Sequence, residues 1–186
     1  MSKRLKRILI GVAVVAAVIF GVLRYIRVQT KSHSPEETAT FYLDGQKLEI
    51  ELFYSRPYKK ERVIFGGLVP YNKVWRTGAN EATTFTINKD IGFGGKAVKA
   101  GKYTLWSMPG AEQWTVYLNS KMYSWGIDMD GNAQRDPAFD VAAITVPVEH
   151  VPEAVEQFTM SISVDSVAPA LMMMWDDVMI NVPISY

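Results

Sequence analysis

Residues Ile8 to Leu23, ILIGVAVVAAVIFGVL, form an unbroken apolar run of 16 residues, with Lys3, Arg4, Lys6 and Arg7 before it and Arg24 and Arg27 after it. Few folded states accept such a stretch. In hydrocarbon every backbone N–H and C=O must find an internal partner, and a helix is how a single segment does that. At about 1.5 Å per residue the run reaches roughly 24 Å, short of a ~30 Å hydrocarbon core. Leu5, Tyr25 and Ile26 lengthen it if the intervening arginines snorkel toward headgroups. A cleaved signal peptide is the rival reading, because it shares the basic start and the run length. Its cleavage tripeptides fit badly: Gly11-Val12-Ala13 falls inside the run, and Ser32-His33-Ser34 follows a long basic stretch. An uncleaved signal anchor over residues 1–27 is therefore expected, with the lipid bilayer as its partner. The chain has no cysteine, which excludes a lipid-modified cysteine anchor. Four basic residues precede the run, and Arg24, Arg27 and Lys31 follow it. That asymmetry points the amino terminus to the cytoplasm. The expectation is a single-pass inner-membrane protein with its remainder on the extracytoplasmic, periplasmic side.

Residues 28–40 lack sustained periodicity and carry Ser, Thr, Pro and two adjacent acids, so a tether is expected there. From Phe41 the period becomes two. In KLEIELF, Leu48, Ile50 and Leu52 alternate with Lys47, Glu49 and Glu51, the pattern of a strand with one buried and one wet face. Tyr103 to Ser107 and Trp114 to Leu118 flank Pro109-Gly110 and read as a hairpin. Further strands are expected at Thr83 to Ile87, Phe139 to Val148, Phe158 to Val164, Ala170 to Trp175 and Val178 to Ile184. Asp176-Asp177 is expected to turn the last pair, and VPEAVEQF to make a short helical turn. The predicted fold is all-β, an antiparallel β-sandwich over residues 41–186 preceded by one transmembrane helix.

The net charge of +1 conceals two opposite balances, because seven basic residues and no acid lie in residues 1–31. The remainder has 13 basic and 19 acidic residues. An acidic domain is poorly suited to a phosphate backbone, so nucleic acid is not expected as a partner. Within that remainder, residues 32–102 hold 11 basic and 8 acidic residues, and residues 103–186 hold 2 and 11. The domain is therefore dipolar, which suits docking to a charged partner or simply leaves a polar surface.

Several motifs fail in detail. Gly66-Gly67 lacks the lysine and hydroxyl residue of a phosphate loop. DMDGNAQRD, from Asp128, puts its glycine two positions early for a calcium loop and has Phe139 where the bidentate Glu belongs. With His33 and His150 the only histidines, no histidine-rich metal site can be assembled, and no metal or cofactor is expected. The basic run RPYKKER, Arg56 to Arg62, reads as a solvated loop or an anion patch. Trp114 is expected in the core, while Trp106 and Trp125 fit either a core or a sugar-binding face. Met172 to Met174 suit core packing, since consecutive strand residues point to opposite faces.

One stretch concentrates chemistry. In WRTGANEAT, Gly78 and Asn80 tolerate positive φ, so a sharp turn is expected before the strand at Thr83. Trp75, Arg76, Asn80 and Glu81 are the candidate ligand-binding residues. Arg76 offers a planar fork to a carboxylate or phosphate, Asn80 and Glu81 fix hydroxyls or amines, and Trp75 supplies a stacking face. The competing reading is a bonded corner in which Arg76 pairs with Glu81 and no ligand is touched.

YSRPYKKERVIFGGLVPYNKVWRTGANEATTF, AGKYTLWSMPGAEQWTVYLN and ALMMMWDDVMINVPI together resemble domain-of-unknown-function family 2911, found in bacterial exported and membrane proteins. The resemblance covers about Leu48 to Ile184, with VWRTGANEAT its most specific part. It implies an exported bacterial domain rich in β-structure and carries no activity with it. The functional expectation is a binding or interaction module of the cell envelope, with an unidentified envelope ligand or protein as partner. The alternative is a hydrolase in which Glu81 and a second carboxylate act as acid and base on an envelope or glycan substrate. No cysteine nucleophile, G-x-S-x-G elbow or zinc motif is present to support other hydrolytic chemistry.

Overall fold

The computed structural model describes residues 2–43, 45, 47–163 and 169–186. It divides the chain into two compact units, residues 1–33 and 34–186. The first is one helix, α1 (Lys3–His33), long and apolar enough to cross a membrane. Lys31 and His33 occupy its last turn, where cations favour the exposed carbonyls. The expected tether is thus corrected. Residues 28–33 continue the helix, with Thr30 Oγ1 bonded to the Ile26 carbonyl at 2.8 Å.

The second unit is the predicted antiparallel sandwich, and its core lies wholly within residues 34–186. Its strands are β1 (Glu36–Leu43), β2 (Leu48–Ser55), β3 (Thr84–Ile87), β4 (Ile91–Phe93), β5 (Lys96–Val98), β6 (Gly101–Met108), β7 (Gln113–Asn119), β8 (Asp140–Pro147), β9 (Glu149–Ser163) and β10 (Ala170–Ser185). One sheet runs β1-β2-β3-β6-β7-β8 and the other β5-β4-β10-β9. Leu48, Ile50, Leu52 and Tyr54 of β2 are fully buried, as the alternation requires. They meet Phe85, Leu105, Trp114, Val116 and Leu118 from the same sheet and Phe158, Met160, Leu171, Met173 and Trp175 from the other. Met173 faces inward while Met172 and Met174 are half-buried, the alternation expected of a strand.

Three local readings are corrected, and one hairpin had no reading. Residues 36–40, placed in the tether, begin β1 and pair with β2 from Glu36 opposite Ser55 to Leu43 opposite Leu48. Their pattern is muted because a strand with one neighbour and small polar residues shows little apolar contrast. Asp176-Asp177 do not end a strand. They form a bulge inside the continuous β10, with Asp176 at φ +55 and the register shifting on both sides. Residues 151–158 are extended in β9, not helical. The hairpin β4–β5 had no periodic signal because its strands are three residues long. Its Gly94-Gly95 turn has φ of +55 and +81, the pair a two-residue hairpin needs. A side chain at Gly94 would lie 2.3 Å from Ile144 of β8. Strand β9 is described to Ser163, so the expected end at Val164 lies outside the described residues.

Candidate functional site

After β2 the chain crosses one end of the sandwich and returns along β6, where Trp75 takes the place that β3 has not yet reached. The Trp75 N–H donates to the Ser107 carbonyl at 2.7 Å, and the Ser107 N–H donates back at 3.0 Å. A strand sends consecutive side chains to opposite faces, so this single bridge separates Trp75 from Arg76.

Trp75 points between the sheets. Its ring stacks on Trp175 at 6.1 Å with planes 19° apart and meets Phe158 at 5.1 Å, Trp114 at 6.2 Å and Phe65 at 6.3 Å. Its Nε1 donates to the Gly78 carbonyl at 2.9 Å. The expected open stacking face is therefore corrected: the partly buried indole stacks on Trp175 and is met by the rings of Phe158, Trp114 and Phe65.

The turn that follows is locked by small polar groups. Buried Thr77 has φ +54, and its hydroxyl meets the Ser107 hydroxyl at 2.9 Å. Buried Thr83 donates to the Thr77 carbonyl at 2.6 Å. Gly78 has φ +140, and a Cβ there would stand 2.9 Å from the Ser55 carbonyl oxygen, so a side chain is excluded on both grounds. Asn80, at φ +56 and buried, donates its amide to the Ser34 carbonyl at 3.1 Å. That amide fastens the first residue of the domain to the corner. The serine and threonine hydroxyls and the Ser34 carbonyl carried no local signal in the sequence, because only the fold brings them together.

Arg76 lies on the outer side of the six-stranded sheet. Its guanidinium sits 5.7 Å from the Trp125 ring centroid, and one Nη donates to the Trp125 carbonyl at 3.1 Å. Burial pulls its pKa below the ordinary arginine value, and the nearby Glu81 carboxylate pulls it partly back up. Arginine stays protonated regardless, so a partly desolvated cation faces out beside a carboxylate on an aromatic floor. Trp125 is 37% exposed and belongs to the segment between β7 and β8.

That segment is itself fixed. Trp106, fully buried on the outer face, receives the edge of Tyr123 at 5.2 Å and donates Nε1 to Thr104 Oγ1 at 3.0 Å. Asn119 donates to the Asp136 carbonyl and to Asp140 Oδ1, both at 2.8 Å, and accepts from the Lys121 N–H at 3.0 Å. Arg135 pairs with Asp140 and lies 3.9 Å over the Tyr117 ring. Gly126 abuts Trp106, Ala82 and Arg76 so closely that a Cβ would approach all three within 3.2 to 3.4 Å. Of the four candidates, the fold keeps Arg76 and Glu81 together, packs Trp75 against the core, and spends the Asn80 side chain on the backbone. Trp125, which the sequence left between core and surface, joins Arg76.

Neither the curated proteins nor the solved structures gave a match. A family model described as "Protein of unknown function (DUF2911)" matches residues 34–184, from before β1 to the penultimate residue of β10, and the chain belongs to that family.

Proposed function

We propose that this protein is a single-pass inner-membrane protein with a cytoplasmic amino terminus, whose extracytoplasmic sandwich binds an anionic ligand of the bacterial cell envelope. The orientation rests on the excess of basic residues before the apolar run. The binding reading rests on one observation: Arg76 is presented on the Trp125 ring by a turn in which the Thr77, Asn80 and Thr83 side chains are bonded internally. A guanidinium held in this way keeps donors for a carboxylate or phosphate, and its partial desolvation strengthens such a bond. The hydrolase alternative asks for a second carboxylate across a reacting bond from Glu81.

Titration calorimetry of residues 34–186 with uronate-bearing and glycerol-phosphate-bearing envelope oligosaccharides tests this reading. Saturable binding is expected, abolished by Arg76→Ala and weakened by Trp125→Ala, with both variants keeping a cooperative melt. Binding that survives Arg76→Ala, or no saturable binding to either class, contradicts it.

A further inference from the structure

The end of the sandwich at which the chain enters the domain has an unusual composition. Glu36 starts β1 opposite Ser55 at the end of β2, so the long connection from Arg56 to Thr83 leaves from this same end. Asn72 in that connection donates its N–H to the Pro109 carbonyl of the β6–β7 turn at 2.7 Å, which fixes it there. Residues 56–73 hold five basic residues and one acid, Glu61; Arg56 and Lys59 pair with Glu37 and Asp176, and Lys60, Arg62 and Lys73 are the other three cations. This contrasts with the strong acidic excess of residues 103–186.

Three large apolar side chains stand open in the same stretch: Val63 at 72%, Leu68 at 48% and Tyr71 at 40% exposure. They form one patch. The Leu68 N–H donates to the Val63 carbonyl at 3.0 Å, a Cβ at Gly67 would lie 3.1 Å from the Val63 Cβ, and the Tyr71 ring lies against Gly66. The patch is rigid, since Gly66 and Val69 N–H groups bond the Val69 and Ile64 carbonyls at 2.9 and 2.8 Å. Ile64 and Val69 anchor it from beneath in the core. Arg62 is fixed at its rim, its guanidinium bonded to the Lys59 and Tyr58 carbonyls.

Exposed aliphatic side chains and a tyrosine, flanked in sequence by Lys60, Arg62 and Lys73, match the chemistry of an anionic bilayer interface: apolar tips enter the headgroup boundary, and cations meet lipid phosphates. A bilayer is also at hand. The same chain carries a membrane-crossing helix, and only Ser34 and Pro35 stand between that helix and β1. We infer that the loop from Lys60 to Lys73 docks on the anionic headgroups of the membrane that holds the helix, with Val63, Leu68 and Tyr71 at the interface. This rests on the helix being retained as an anchor and is independent of the Arg76 site.

Because the chain has no cysteine, single labels are clean. The full chain is reconstituted in liposomes with an environment-sensitive dye at Leu68→Cys or, as control, at Met129→Cys, a fully exposed position between Asp128 and Asp130. In liposomes containing phosphatidylglycerol, blue-shifted emission and quenching by nitroxide lipid are expected at position 68 and not at 129, and neither in pure phosphatidylcholine. Raising salt to 1 M, where the screening length falls to about 3 Å, reverses the shift. Combined Lys60→Glu, Arg62→Glu and Lys73→Glu changes lower the docking equilibrium about a hundredfold, at about fivefold per cation. Flotation with the liposomes reports the anchor separately, so its success with a water-exposed label at 68 overturns the docking alone. Shielding of position 68 that needs an added protein, or that is equal in both lipids, overturns it as well.

Discussion

On the inner side of the six-stranded sheet, Ile50, Leu52, Phe85, Leu105 and Val116 are sealed by the second sheet, while on the outer side Trp106 is sealed by the segment after β7. The inner seal is mainly apolar area, at about 1.5 to 3 kcal/mol for each large side chain fully buried. The outer seal is mostly polar: Asn119 alone joins Asp136, Asp140 and Lys121, and each such bond contributes about 0.5 to 1.5 kcal/mol net. A surface held by directional bonds fixes side-chain positions without consuming apolar area. That makes it suited to presenting Arg76 and Trp125, and the corner at residues 75–83 is where the two sides meet.

The comparison breaks most visibly if the domain is cut at the wrong place. Residues 34–186 are expected to fold as a soluble β domain. Residues 41–186 lose five residues of β1, the Ser34 carbonyl that Asn80 holds and the Glu37 partner of Arg56, and are expected to aggregate or lack a cooperative melt. Circular dichroism and gel filtration of the two fragments check this, and equal behaviour would show that β1 is dispensable. A smaller loss is expected from Gly78→Ala. The strained φ and the Ser55 carbonyl together cost about 1 to 3 kcal/mol in urea unfolding. Thr83→Val keeps the shape and leaves the Thr77 carbonyl without its donor, a loss of about 1.5 kcal/mol. An unchanged midpoint for both would mean that the corner is not the lock described.

The smallest effect concerns the tip at Asp128. Backbone bonding from Asn132, assisted by the Asn132 side chain and the Asp130 N–H, holds this carboxyl below its ordinary range. Its contribution is therefore complete above about pH 3.9 and is lost as pH falls through the lower folded value. Amide resonances of Asp130 and Asn132 should move only under that acid condition. A midpoint at or above the ordinary aspartate value contradicts the assignment.

Much of this architecture was legible in the sequence because local signals agree: the alternation at Leu48, Ile50 and Leu52, the Pro109-Gly110 turn, and the uninterrupted apolar helix. What escaped was non-local. Strand β1 shows weak contrast because it lies at an edge, and the Asp176 bulge looks like a turn until Lys59 is seen pairing with that carboxylate. The corner was found from its residue types, but their division was not. Only the bridge of Trp75 to Ser107 decides that the indole goes inward and the guanidinium outward. Trp125 is 49 residues from Arg76 in the chain, a separation at which periodicity carries no information.

Urea unfolding of Trp75→Ala and Arg76→Ala, measured side by side in residues 34–186, tests this division most directly. Trp75→Ala removes a ring packed by four aromatics, three of them in the core, and is expected to lose about 3 to 5 kcal/mol. Arg76→Ala gives up one carbonyl bond and a cation–π contact on the outer surface and is expected to lose less, about 1 to 2 kcal/mol. Equal losses, or a larger one at Arg76, would contradict the account and make the arginine part of the brace.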